Sequence, residues 1–193
     1  MSSLTRRLAV GTLLAALAGA AAAHPGHGSH GFLEGLAHPF AIDHLLAAVA
    51  VGVWSAAALP GSRRWLGPLG FLVAMTFGAL AGAAGFGLPF MEAGIAASVL
   101  LMGVMLVAVR RLPPVAGLGL IVASASLHGL AHGAELPVGA NFASYAAGFV
   151  MTTAALQVGA LALGERIGLA RTWAWRAGGA LLGAVGLALL VAA

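Results

Sequence analysis

The sequence predicts an all-α integral membrane bundle: six transmembrane helices behind an N-terminal signal peptide. Three observations carry that prediction. Of the 193 residues, 61% are hydrophobic and 7% charged, whereas about a quarter of a soluble domain is charged. The apolar residues gather in stretches close to the roughly 20 needed to cross a bilayer. Arginines fall in alternate gaps between those stretches.

The elements follow in order. Arg6 and Arg7 form a basic head, Leu8 to Ala20 an apolar run, and Ala21-Ala22-Ala23 a small-residue cleavage site. That is the pattern of a secretory signal over 1–23, and the mature chain is expected to begin at His24. An uncleaved first helix is the other reading. Residues 24–35 form a His-rich external tail in which His24, His27 and His30 stand among glycines, a composition suited to metal capture or to a plain flexible leader. The transporter-like domain, 36–193, holds six apolar stretches at 36–59, 66–85, 91–109, 115–135, 141–163 and 173–192. Their breaks carry turn residues such as Leu59-Pro60-Gly61-Ser62 and Arg111-Leu112-Pro113-Pro114.

Arginine placement sets the orientation. Arg63 and Arg64, Arg110 and Arg111, and Arg166 and Arg171 occupy the first, third and fifth gaps; the second and fourth contain none. All basic loops then share one side, which the positive-inside rule makes cytoplasmic. Both mature termini fall outside, as a cleaved signal requires. Three spans per half give the halves opposite orientation, the arrangement of inverted-repeat transporters.

Composition excludes several functions. Without cysteine there is no disulfide, thiolate metal site or cysteine nucleophile. Without lysine there is no P-loop, so ATP hydrolysis is not expected. The net charge of +4 reflects membrane orientation rather than nucleic-acid binding.

The few ligand-type residues fall in two clusters. His38-Pro39-Phe40-Ala41-Ile42-Asp43-His44 opens the first stretch, and Ser126 to Glu135 closes the fourth. Both lie near the outer face in this topology. Ionisable groups are costly within a bilayer and mark function by default. His128 and His132, four apart, share a helix face, and Glu135 continues that stripe. A helix C-terminus favours a cation. Gly129 and Gly133 would let another helix approach beside the pair. His38, Asp43 and His44 do not share a face in an unbroken helix. With Pro39 suited to a first helical turn, His38 is expected to precede the helix and fold back. The plainer alternatives are histidines bonded within a helix interface and an Asp43–histidine hydrogen bond.

Weaker features complete the reading. Thr152, Thr153 and Gln157 form a polar stripe that either lines a path or packs. Glu92 opens the third stretch. Trp65, Trp173 and Trp175 read as interface anchors. Gly78-x-x-x-Gly82 and Gly179-x-x-x-Gly183 read as helix contacts.

At its two clusters the chain resembles the HupE/UreJ family of nickel permeases. The family's His-Pro-x-x-x-Asp-His-Leu element is matched by His38, Pro39, Asp43, His44 and Leu45. Its His-Gly-x-x-His-Gly-x-Glu element is matched by His128, Gly129, His132, Gly133 and Glu135. Ala41 replaces a common glycine, and Leu46-Ala47-Ala48 departs from the usual Ala-Met. The resemblance implies a permease of the bacterial inner membrane taking up Ni²⁺ or Co²⁺, with mature termini periplasmic. It also implies supply to hydrogenase or urease maturation and contact with their metallochaperones. The expected metal ligands are His38, Asp43, His44, His128, His132 and Glu135. The metal is cargo, and no prosthetic group is expected.

Three functions compete at this point. A secondary permease would use nitrogen and oxygen ligands that suit nickel, cobalt or zinc, and acid would compete with the metal for imidazole. An intramembrane zinc-dependent hydrolase would need three histidines, an aspartate and Ser126 around an activated water, but the chain has no His-Glu-x-x-His. A metal-sensing partner would bind without transport.

Overall fold

The computed structural model describes residues 31–134, 141–168 and 172–193. The predicted signal, His24, His27, His30 and Glu135 lie outside them. The described residues contain seven helices and no strand. A short helix, α1 (Phe32–Ala37), leads through a 3-10 turn (His38–Phe40) into α2 (Ile42–Ala58). A second 3-10 turn (Gly61–Trp65) opens α3 (Leu66–Ala83). Then come α4 (Met91–Val107), α5 (Pro114–Ala134), α6 (Phe142–Ile167) and α7 (Thr172–Ala192). Six of these lie on the six predicted stretches. The short α1 begins inside the predicted tail, where Gly35 is buried with its backbone close against Tyr145 and Phe149 of α6.

Four helices are long and apolar enough to cross a bilayer: Gly61–Ala83, Pro114–Ala134, Phe142–Ile167 and Trp173–Ala192. The segments Phe32–Phe40 and Ile42–Ala58 together make a fifth if they count as one span, bent by 74°. The bend has a local cause. Pro39 sits at the start of the 3-10 turn, and Ala41 takes an extended ψ of 141° before α2 restarts. Met91–Val107, with 17 residues, is apolar but reaches about 25 Å at 1.5 Å per residue, short of the roughly 30 Å hydrocarbon core. Large apolar side chains also point outward, among them Leu69, Val73 and Phe77 of α3 and Leu181 of α7. Such outward stripes suit lipid.

The three most extensive interfaces pair α3 with α5, α4 with α7 and α2 with α6. Exchanging the halves α2–α4 and α5–α7 leaves that set of pairs unchanged, as two related three-helix units require. Glycine makes each approach close. A methyl group on Gly129 or Gly133 would overlap the carbonyls of Met75 and Ala79, and one on Gly78 or Gly82 the carbonyls of Ser126 and Leu130. Gly103 meets Gly179 and Gly183 across α4 and α7, and Gly52 meets the backbone of Gln157 across α2 and α6. In lipid, where no hydrophobic force drives helices together, such van der Waals contact is the main source of association.

One predicted anchor is placed differently. Trp173 is exposed, but Trp175 is buried and donates its Nε1–H to Gly168 O at 3.0 Å. Its indole caps the α6–α7 connection, because the residue falls on the face of α7 turned toward the bundle.

Leucine at Gly133 should overpack the α3–α5 seam by about 1–3 kcal/mol. The expected result is a clearly lowered Tm of the detergent-purified protein. Gly119→Leu, at a position where a side chain would meet open space, should not lower Tm.

Candidate functional site

The bend at Ala41 brings the first cluster together. His38, on the 3-10 turn, folds back so that its ring centroid lies 5.2 Å from that of His44 on α2. The α3–α5 seam then carries His128 and His132 to the same place. The His44 ring is 4.7 Å from His128 and 4.3 Å from His132, and His38 is 4.3 Å from His132. Ligand atoms of His38, His44 and His132 all lie within 4.8 Å of one another, and so do those of Asp43, His44 and His128. Five of the six predicted ligands are therefore assembled from α2, α5 and the turn between α1 and α2. Glu135, the sixth, lies just past the described end of α5.

Close polar contacts orient the rings. Asp43 Oδ2 sits 3.1 Å from His44 Nδ1. A carboxylate this close favours the tautomer that keeps the proton on Nδ1 and turns the Nε2 lone pair toward the other rings. Ser98 Oγ donates to Ile95 O at 2.7 Å and lies 2.9 Å from His128 Nε2. A hydroxyl has one proton, so Ser98 accepts from His128 Nε2–H and His128 Nδ1 is bare. His44 Nε2 and His128 Nδ1 face each other at 3.2 Å, and His132 Nε2 meets the same His44 nitrogen. Lone pairs turned on one point repel unless a proton or cation lies between them. Carboxylate and hydroxyl partners that fix imidazole tautomers are what histidine metal sites use around their ligands.

The surroundings are apolar and closed. His44 and His128 are buried, and His38 and His132 are partly so. Phe149 of α6 packs against the His38, His44 and His132 rings at 5.5–5.7 Å, and Tyr145 stands 5.9 Å from His38. A pocket of about 20 Å³ touches His132 between α3, α5 and α6, room for about one water-sized species.

Two contributions were not read from the sequence. Ser98 is the one hydroxyl in Met91–Val107, an otherwise apolar stretch apart from Glu92, and that isolation was its signal. Phe149 and Tyr145 look like ordinary membrane aromatics until α6 is placed. Ser126, the hydroxyl a hydrolase would need, instead donates to Val122 O of its own helix at 2.9 Å. The polar stripe of α6 divides: Thr152 donates to Leu36 O at 3.0 Å and holds α1 in place, while Thr153 and Gln157 turn inward and are buried.

Comparison with known proteins identifies the family. The family model described as HupE / UreJ protein matches residues 12–189. Protein HupE of Rhizobium leguminosarum bv. viciae is 40% identical over 185 residues, covering 93% of this chain and 96% of that one. No solved structure matches. With a family match across nearly the whole length and a relative this similar, the chain belongs to the HupE/UreJ family.

Proposed function

We propose that the protein is a secondary permease that takes up Ni²⁺, with Co²⁺ as the alternative cargo, across the bacterial inner membrane. The observation that carries this reading is the convergence of imidazole nitrogens from His44, His128 and His132 inside an apolar bundle. An all-nitrogen and oxygen donor set, with no cysteine in the chain, suits nickel and cobalt and also zinc; the family membership favours the first two. In this reading His38 closes over the ion from the outer side, and Asp43 and Ser98 hold the rings in the ligating tautomers. Glu135 would add a carboxylate from the end of α5.

The proposed topology has six spans, with both mature termini periplasmic after removal of residues 1–23. The tail histidines, His24, His27 and His30, gather the ion outside. Movement of the two three-helix halves against each other would then pass it inward. A divalent ion moving to a negative interior gains roughly 4.6 kcal/mol per 100 mV, about 2.3 for each charge, so ATP is not required. Hydrogenase or urease metallochaperones would receive the ion.

The direct test is uptake of radioactive nickel by proteoliposomes containing the purified chain. Wild type should accumulate Ni²⁺ and His44→Ala should lose nearly all uptake; a hydrolase or a sensor would give no flux from wild type. Ser98→Ala frees the His128 tautomer, so nickel affinity should fall by about 10- to 100-fold. Ser98→Thr, which keeps the hydroxyl, should restore most of it in equilibrium binding. An equal loss in both variants would mean that Ser98 acts by packing alone.

A further inference from the structure

Gln157 lies inside the bundle with its amide oxygen and nitrogen both buried and without a hydrogen-bond partner among the described residues. Thr153, one turn earlier on α6, is buried and its hydroxyl is likewise unpartnered; so is the hydroxyl of Ser55 on α2. Buried polar groups nearly always have a partner, and the exceptions call for an ion, a water or a function. In a bundle surrounded by lipid the demand is stronger.

Their placement gives the function. Phe149, Thr153 and Gln157 follow one another at four-residue spacing, so they share the face of α6 that packs on α2. Phe149 lies against the His38, His44 and His132 rings, and the Gln157 backbone lies against Gly52. Since α2 and α6 run side by side in the same direction, Thr153 and Gln157 sit about 6 and 12 Å beyond the histidine cluster. Ser55 lies one turn further along α2, against Gly67. Beyond it, at the same end of these helices, an open cleft of about 320 Å³ is bordered by Arg64 and Glu165, which form an ion pair. Three buried, unpartnered polar side chains thus stand, by height along the helices, between the imidazoles and a water-accessible cleft.

Resting on the permease reading, we propose a second cation station between α2 and α6, built from the Gln157 amide oxygen and the Thr153 hydroxyl. It receives the divalent ion from the histidines and passes it by Ser55 to the cleft. The chemistry fits release rather than capture. Neutral oxygens hold a late transition-metal ion far less tightly than imidazole, and conduction needs sites weak enough to leave. The station would lower the barrier to crossing the inner half without trapping the cargo.

The experiment compares full-length wild type, Gln157→Leu, Gln157→Glu and His44→Ala in two assays: radioactive Ni²⁺ uptake into proteoliposomes and equilibrium Ni²⁺ binding in detergent. Gln157→Leu should cut the initial uptake rate about tenfold or more, the scale of losing a supporting polar contact in a metal site, while Ni²⁺ binding at the histidines stays at the wild-type level. Gln157→Glu should bind one Ni²⁺ more per chain than wild type, because a carboxylate turns the weak station into a trap. Wild-type uptake by Gln157→Leu, or unchanged stoichiometry in Gln157→Glu, overturns the second station. If Gln157→Leu does not fold, the stoichiometry of Gln157→Glu decides. No uptake by wild type would instead overturn the permease reading itself, and uptake retained by His44→Ala would overturn the histidine site.

Discussion

Imidazole nitrogens placed inside an apolar bundle must be satisfied from within, and that constraint organises the structure. Hydrocarbon offers no hydrogen bonds, so each ring nitrogen needs a carboxylate, a hydroxyl, another ring or an ion. Asp43 lies in charge contact with one nitrogen of His44, and Ser98 bonds one of His128. The nitrogens left over converge. The arrangement crowds ring nitrogens onto one point, which suits a site that holds and then yields a cation.

The scaffold serves that convergence with few resources. It has no disulfide and few charges. Instead it brings helix backbones into contact through glycine. The Gly78, Gly82, Gly129 and Gly133 seam locks α3 to α5, and so fixes the height and rotation of His128 and His132. The 74° bend ahead of α2 does the same for His38 and His44. A methyl group in the seam or a straightened first span would separate the rings, although neither change touches a ligand.

Much of this could be read from the residues. The six apolar stretches, the four-residue spacing of His128 and His132, and the glycines beside them follow from helical periodicity. The fold-back of His38 follows from its wrong phase with Asp43 and His44 in a continuous helix. What periodicity cannot supply is the partner of each face. Ser98 acquires its role once α4 is set beside α5. Trp175 is turned inward by a rotation of α7 that its position near the helix start did not reveal. Thr152 and Thr153 are neighbours in sequence, yet one ties down α1 and the other is buried without a partner, because adjacent residues on a helix point about 100° apart.

The most direct test of the central claim is nickel X-ray absorption on the metal-loaded protein, with His24, His27 and His30 replaced by serine to silence the tail. Convergent imidazoles predict a shell of nitrogen and oxygen neighbours with outer-shell scattering from at least two of the three rings His44, His128 and His132, and a loss of that scattering in His44→Ala. Nickel bound without imidazole scattering, or with scattering that survives His44→Ala unchanged, would contradict the account.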